Sequence, residues 1–239
     1  MKILIDMKMT GQSTFRRKAF TLTELMIVIL FIGVLAALTM GGLAYIKKAQ
    51  YKSVARGEME AIEVALENFK AKYGAYPPGN QWPATANYNP ALFSQLYYEL
   101  SGTTTNGNGF VTLNSMSQIS AADAYTAYGV GGFQNCTKGS GEDAVDAKNF
   151  LPELRPKQFN TNITNNNVRT AMLITSVGGP DETYRPLGGG DSGINPFRYV
   201  CPGTNNPNSY DLWVQLVIGG KTNLICNWSR QVILNSPLP

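Results

Sequence analysis

The sequence contains no histidine among its 239 residues and only three cysteines. The lack of histidine excludes Ser-His-Asp and Cys-His catalytic sites and most zinc sites. Cys136, Cys201 and Cys226 show no Cys-x-x-Cys spacing, which argues against a metal or thioredoxin-like motif. The clustered acids at 142–146 fit a solvated loop. We therefore expect no catalytic residues, no metal site and no enzyme activity.

An excess of basic charge is also missing once the first 19 residues are set aside. Those residues hold five basic side chains and one acidic side chain, which accounts for the whole formal net charge of +4. From Phe20 onward, 15 basic residues balance 15 acidic ones. Because a nucleic-acid-binding surface needs an excess of Lys and Arg, nucleic acid is not expected as the main partner.

A long uncharged run, Leu25–Ile46, follows the basic leader. As a helix it would extend about 33 Å, which is enough to cross a bilayer. A signal anchor or a cleaved secretory signal is the simpler interpretation. However, the run is longer than an ordinary secretory signal, and no small-x-small site closes it. Lys47, Lys48, Lys52 and Arg56 follow so closely that the positive-inside count does not decide the orientation.

The helical pattern continues beyond the uncharged run. Apolar residues recur at steps of three and four and predict one buried stripe: Ala55, Met59, Ile62, Leu66, Phe69 and Tyr73. Gly74, followed by Pro77 and Pro78, is typical of a helix end. The pattern predicts one helix over Phe20–Tyr73, with an apolar first half (20–46) and an amphipathic second half (47–74).

The remaining residues, 75–239, predict a small globular domain. Residues 80–170, called the insertion below, are rich in polar residues and are expected to be irregular, with a short helix over Asn89–Leu100 and loops over Thr103–Asn108 and Gly129–Gly132. The last third contains five strand-like runs, at 170–177, 197–201, 210–218, 222–226 and 230–234. Gly219–Gly220 fits a hairpin turn. The expected fold class is α+β, with the long helix packed on a small antiparallel sheet.

The stretch from Arg16 to Leu25, Arg-Arg-Lys-Ala-Phe-Thr-Leu-Thr-Glu-Leu, resembles the leader of type IV prepilins and pseudopilins. This resemblance implies cleavage between Ala19 and Phe20 by a membrane prepilin peptidase on the cytoplasmic side. It also implies methylation of the new Phe20 amine, and it places the leader 1–19 inside. Ala19 departs from the glycine that the family usually has.

Glu24 is the only charged residue in the first turns of the mature helix. A carboxylate in an apolar environment is costly unless it has a partner. The resemblance implies that Glu24 pairs with the Phe20 amine of a neighbouring subunit. The alternative is that Glu24 merely favours the start of its own helix through the helix dipole.

The C-terminal third is similar to the major pseudopilin of type II secretion, on Asn195–Gly203, Asn208–Trp213 and Asn227–Trp228. That family has a calcium loop before the final Asn-Trp, but the corresponding segment here, Gly219–Leu224, contains no acid, so calcium is not expected. An exported domain would oxidise two of its three cysteines. Three pairings are possible, and we favour Cys201–Cys226 because both lie in short apolar runs.

The resemblance implies a structural subunit of a secretion pseudopilus. Its partners would be further copies of the chain, the prepilin peptidase, the inner-membrane assembly platform and minor pseudopilins. It would be a single-pass protein of the bacterial inner membrane with its globular domain in the periplasm. The alternatives are a type IV pilin for adhesion, motility or DNA uptake, or a membrane-anchored protein that forms no filament.

Overall fold

A computed structural model describes residues 20–85, 88–138, 145–177, 186–187 and 194–236, with the side chains at 39–45 excepted. The chain divides into two compact units, residues 1–46 and residues 47–239. The predicted α+β class is confirmed, since the described residues form helices and small antiparallel sheets.

Three α-helices and nine strands are present in the described residues. The helices are α1 (Leu22–Tyr73), α2 (Leu96–Ser101) and α3 (Ala121–Tyr128), and a 3-10 turn covers Pro156–Gln158. The strands are β1 (Thr103–Asn106), β2 (Gly109–Thr112), β3 (Gln118–Ser120), β4 (Phe159–Asn165), β5 (Val168–Leu173), β6 (Arg198–Val200), β7 (Asp211–Ile218), β8 (Lys221–Cys226) and β9 (Ser229–Leu234). They form three antiparallel sheets in the orders β1-β2-β3, β4-β5 and β6-β7-β8-β9.

The first unit holds the apolar half of α1. From Leu22 to Leu38 its large hydrophobic side chains are exposed, between 46% for Val28 and 75% for Leu22. Among the helices as far as they are described, none combines the length and hydropathy needed to cross a bilayer. The side chains at 39–45 of the expected span, and the leader 1–19, lie outside the described residues.

The amphipathic half of α1 forms the core of the second unit. The predicted stripe is confirmed, because Ala55, Met59, Leu66 and Phe69 are fully buried and Ile62 is nearly so. They belong to one hydrophobic cluster with the inward-facing side chains of the C-terminal sheet: Tyr199, Leu212, Val214, Leu216 and Ile225. The sheet therefore covers the apolar face that the helix could not leave in water.

The end of α1 also follows the sequence. The helix stops at Tyr73, and Gly74 takes a positive φ of 79° while its N–H donates to the Lys70 carbonyl oxygen at 2.7 Å. A left-handed glycine after the last helical residue is the usual way to close a helix. The predicted helix end at Tyr73 is confirmed.

The C-terminal sheet is a meander of four strands that closely follows the predicted runs. Ile218 pairs with Lys221, which leaves Gly219 and Gly220 as a two-residue turn with φ of 61° and 71°. Two successive positive φ angles are those of a type I′ hairpin, which glycine adopts without steric cost. The predicted hairpin is confirmed.

The insertion is more regular than predicted. Thr103–Asn108 is not a loop, because Thr103–Asn106 forms β1 and pairs with β2 through a tight turn at Gly107–Asn108. The three threonines favour an extended strand because they are β-branched. The glycine and asparagine content that suggested a loop is concentrated in the turn itself.

The predicted helix over Asn89–Leu100 is too long. Only Leu96–Ser101 forms α2. The Asn89 side-chain oxygen accepts the Ala91 N–H at 3.1 Å, and its carbonyl oxygen accepts the Leu92 N–H at 3.1 Å. The asparagine side chain thus makes a local turn that competes with helix formation.

Arg56 ties α1 to the turn between β8 and β9. Its guanidinium donates to the carbonyl oxygens of Cys226 at 3.0 Å, Ser229 at 3.2 Å and Arg230 at 3.3 Å. Because a planar guanidinium presents several donors at once, a single side chain satisfies three carbonyl groups and fixes this turn against the helix.

Replacing Leu66 with alanine tests the role of the helix stripe. We expect Leu66→Ala to lower the free energy of unfolding by about 2–5 kcal/mol, because it leaves a cavity in the core. Urea denaturation of the full chain, followed by tryptophan fluorescence, measures this change. Val64→Ala is the matched control on the same helix, since Val64 is 62% exposed, and we expect a change within about 0.5 kcal/mol. Equal effects of the two substitutions would contradict the packing.

Candidate functional site

The start of α1 is built around Thr21 and Glu24. The Glu24 Oε2 atom accepts the Thr21 N–H at 2.9 Å and the Thr21 hydroxyl at 2.9 Å, while the Glu24 N–H donates to the Thr21 hydroxyl at 3.3 Å. This reciprocal arrangement is a capping box, in which a Thr-x-x-Glu sequence satisfies N–H groups that the helix itself leaves unpaired. It fixes the beginning of the helix immediately after Phe20.

The capping box gives the local role of Glu24 a structural basis. The helix dipole and the capping bonds favour a carboxylate at this position without any second subunit. Both bonds from Thr21 end on Oε2, so Oε1 points to no donor in the described residues. The pairing of Glu24 with a neighbouring amine stays a prediction. Phe20 is 79% exposed, whereas Ala19 lies outside the described residues.

The segment that corresponds to the calcium loop of major pseudopilins is the tip of the β7–β8 hairpin. It contains no carboxylate. A Cβ atom added at Gly219 would lie 3.2 Å from the ammonium Nζ of Lys48, so a cationic group already occupies the space beside the turn. Calcium requires six to eight oxygen ligands, usually including carboxylates. The residues at this position do not fit a calcium ion.

Calcium should therefore leave the stability of the protein unchanged. We expect the same melting temperature in millimolar calcium chloride and in excess chelator, because a ligand stabilises only a fold that binds it. Thermal unfolding of the full chain followed by circular dichroism makes the comparison, with magnesium as the control for ionic strength. A rise in melting temperature with calcium alone would contradict this assignment.

The predicted Cys201–Cys226 pair is not brought together. Cys136, Cys201 and Cys226 all have free thiols. Val200 pairs with Asp211 and Cys226 pairs with Trp213, so the two cysteines flank opposite edges of β7 and are displaced along it. Two strand spacings of about 4.8 Å each, plus this displacement, exceed the roughly 7 Å between Cα atoms that a disulfide allows. A bridge between them would require the sheet to rearrange.

Three buried carboxylates were missed in the sequence. The first, Glu58 of α1, is 9% exposed and faces the end of β5. It accepts the Thr175 hydroxyl at 2.8 Å, the Ser176 N–H at 3.1 Å, the Ser176 hydroxyl, and the Gln158 amide at 3.4 Å. Because hydrogen-bond donors occupy its lone pairs, the carboxylate anchors Gln158 of the insertion and the segment after β5 to α1 rather than acting as a base. The sequence could have indicated this burial, because Glu58 lies one residue before Met59 of the apolar stripe.

The second carboxylate, Glu99 of α2, is fully buried. It accepts the N–H groups of Gln134 at 3.0 Å and Asn135 at 2.9 Å. The Asn135 side chain donates to the carbonyl oxygens of Glu99 and Lys148, and it accepts from the Tyr73 hydroxyl at 2.6 Å. This network joins the end of α1 to two segments of the insertion.

Burial raises the pKa of Glu99 from its ordinary value of 4.5 to about 7, although the Asn135 and Gln134 N–H bonds and the Lys138 charge act in the opposite direction. The signal in the sequence was a single acid within the otherwise uncharged run Leu-Tyr-Tyr-Glu-Leu.

The third carboxylate, Asp211, accepts N–H groups of Asn205 at 2.7 Å and Asn206 at 3.0 Å, and it closes the turn between β6 and β7.

The raised pKa of Glu99 predicts a pH-dependent stability. The folded state holds the proton up to about pH 7, whereas the unfolded chain releases it near 4.5. The contribution of Glu99 to the free energy of unfolding is therefore fully present below about pH 4.5. It is lost as the pH rises to about 7. The loss amounts to about 3 kcal/mol over this range.

Urea denaturation at several pH values measures this contribution. We expect the wild-type chain to lose stability relative to Glu99→Gln between pH 5 and pH 7.5, because the variant carries no titrating group there. The exposed Glu153→Gln variant is the control for the same chemical change and should follow the wild-type profile. Parallel profiles for wild type and Glu99→Gln would contradict the buried, protonated state of Glu99.

A capped helix with an apolar first half and an amphipathic second half packed on an antiparallel sheet is the architecture expected for a type IV pilin-like protein. No protein-family model matches the chain, and no solved structure matches it significantly. The curated proteins give two significant relatives, both described as type II secretion system core protein G.

The relative from Escherichia coli (strain K12) is 36% identical over 89 residues, which are 33% of this chain and 61% of the relative. The relative from Pectobacterium carotovorum subsp. carotovorum is 37% identical over 71 residues, which are 30% of this chain and 46% of the relative. The matches thus span about half to three-fifths of these relatives. The chain is similar to the major pseudopilin of type II secretion systems.

Proposed function

We propose that this chain is a structural subunit of a type II secretion pseudopilus. The similarity to core protein G of two bacteria supports the proposal, although it covers only part of each chain. The observation that carries it furthest is the start of α1. A Thr21–Glu24 capping box opens the helix directly after the position where a prepilin peptidase would cut.

Processing by the prepilin peptidase would remove residues 1–19 on the cytoplasmic side and methylate the Phe20 amine. The basic residues Arg16, Arg17 and Lys18 precede the cut, and the resemblance of this motif to prepilin leaders supports a leader on the cytoplasmic side. The capping box supports this position, because it satisfies the N–H groups of Thr21 and Glu24 with side chains of the mature chain.

Before assembly, the apolar half of α1 would lie in the inner membrane, with the second unit in the periplasm. Its large side chains from Leu22 to Leu38 are exposed in the isolated chain. A surface of this kind needs either lipid or other copies of itself to cover it. In a filament, the apolar halves of neighbouring copies would bury one another, and the second unit would lie outside.

Glu24 would set the register of this packing. Its Oε2 is held by Thr21, and Oε1 would accept a hydrogen bond from a donor of another subunit. The Phe20 amine of the next subunit is a suitable donor, and methylation preserves its positive charge. An ion pair in an apolar surrounding is favoured because neither charge has water to solvate it.

The partners of such a subunit are further copies of the chain, the assembly platform of the inner membrane and minor pseudopilins. A mechanical role fits the absence of histidine and the structural use of the buried carboxylates Glu58, Glu99 and Asp211. We therefore propose no enzyme activity. The resemblance of Asn195–Gly203, Asn208–Trp213 and Asn227–Trp228 to major pseudopilins favours a secretion pseudopilus over an adhesive or motile pilus.

Glu24→Gln tests the filament role. This substitution keeps the shape and one hydrogen-bond acceptor but removes the charge that would attract the neighbouring amine. With the cognate peptidase and assembly platform present, we expect normal removal of the leader and at least a tenfold loss of filaments, which corresponds to about 1.4 kcal/mol per subunit contact. Immunoblotting of the processed chain and of sheared filaments measures the two steps separately.

Glu60→Gln is the matched control, since Glu60 is exposed on the same helix and carries the same carboxylate. We expect this variant to be processed and assembled like the wild type. Normal filaments from Glu24→Gln would refute the charge pair, and an absence of filaments from the wild-type chain would refute the proposed function.

A further inference from the structure

Lysine side chains gather at one end of the second unit. We define the basic end as Lys47, Lys48 and Lys52 of α1 together with Lys221 at the start of β8. The Lys48 ammonium lies beside Gly219 of the hairpin turn, where an added Cβ would be 3.2 Å from Nζ. Lys221 follows this turn directly and pairs with Ile218 across it, so a lysine of the helix and a lysine of the hairpin both border the turn.

The elements that form the basic end bring no negative charge to it. The sequence contains no Asp or Glu between Leu25 and Gly57, and none from Leu212 to the last residue. Within these two stretches, no carboxylate side chain neutralises the positive charges. The even balance of charge from Phe20 onward hides this local excess.

The basic end is also accessible. Lys47, Lys48 and Lys221 are exposed, as are Gly219 and Gly220, and Lys52 is half-buried. The glycines carry no side chains, so a flat surface can approach the hairpin closely. Arg56 lies two helical turns from Lys48 on the same face, but its guanidinium is engaged by backbone carbonyl groups and serves the fold.

We propose that the basic end is a docking surface for anionic phospholipid headgroups at the membrane. The inference rests on the proposed function for the placement of the apolar half of α1 in a bilayer. Lys47 follows that half directly, so the basic end begins where the helix would leave the hydrocarbon. Each lysine close to an anionic lipid surface raises the affinity of the protein for that surface about fivefold.

The chemistry favours lipid over nucleic acid. The cluster consists of lysines, which act as point charges, and the structural Arg56 offers no free guanidinium for bidentate recognition. Docking on headgroups would hold the second unit against the membrane before assembly. Extraction of the subunit into a filament would then have to break these contacts.

A lipid titration of the full chain in zwitterionic micelles tests the proposal. It needs neither peptidase nor filament, so its failure and the failure of the proposed function are separate results. The probes are short-chain phosphatidylglycerol and short-chain phosphatidylcholine, with inorganic phosphate and a short DNA duplex as further additives. The readout is the change in the NMR amide signals of Gly219, Gly220 and Lys221.

We expect phosphatidylglycerol to shift these three signals and phosphatidylcholine to leave them in place. The shifts should vanish in 0.5 M sodium chloride, because salt screens exposed charges. The double variant Lys48→Gln/Lys221→Gln lacks two lysines that each contribute about fivefold. It should therefore raise the half-saturating phosphatidylglycerol concentration about 25-fold. Lys157→Gln/Arg169→Gln removes two exposed positive charges elsewhere and should leave it unchanged.

Equal responses to both lipids, or an unchanged response in Lys48→Gln/Lys221→Gln, would overturn the proposal. The same shifts with inorganic phosphate at the same concentration would show a general anion site instead of a lipid surface. Stronger binding of the DNA duplex than of phosphatidylglycerol would identify a nucleic-acid surface and would also overturn it.

Discussion

The fold of the second unit depends on the burial of one helical stripe. Ala55, Met59, Leu66 and Phe69 have no exposed surface, and they pack against inward-facing residues of the C-terminal sheet. An amphipathic helix of this length has no stable conformation in water unless its apolar face is covered. The sheet in turn has a buried face only because the helix lies on it, so neither element is stable alone.

The hydrophobic contact alone would let the helix shift on the sheet. Hydrogen bonds from polar groups fix its position. Arg56 holds the β8–β9 turn, Glu58 holds the end of β5, and Tyr73 reaches Asn135 in the insertion. Hydrophobic burial has no preferred direction, whereas these hydrogen bonds tolerate little displacement. The insertion is thus attached to α1 at two separate positions. A pulling force on the helix would reach the insertion as well as the sheet.

The sequence predicted the parts of the fold that depend on local patterns. The stripe of α1, its end at Gly74 and the Gly219–Gly220 hairpin follow from periodicity and backbone preference, and all three are confirmed. The insertion was predicted less well, because Thr103–Asn106 forms a strand only by pairing with a partner across a tight turn. Such pairing depends on tertiary contacts that a local pattern does not contain.

At the candidate site, too, the sequence predicted only the features that depend on local patterns. The Thr21–Glu24 capping box was not predicted, although its Thr-x-x-Glu spacing is present in the sequence, and the lack of acids in the hairpin predicts that it holds no calcium loop. The disulfide pairing depended on the strand register, which places Cys201 and Cys226 on opposite sides of β7. The roles of Glu58 and Glu99 depend on donors about 100 and 35 residues away, and no local pattern identifies those partners.

We propose that the mature chain begins at Phe20 and that its capped helix is the product of a specific cut. The most direct measurement is the intact mass of the chain purified from cells that contain the cognate prepilin peptidase. We expect a chain that lacks residues 1–19 and carries one added methyl group on Phe20. A chain that retains Met1, or one cut after the apolar run near Ile46, would contradict it.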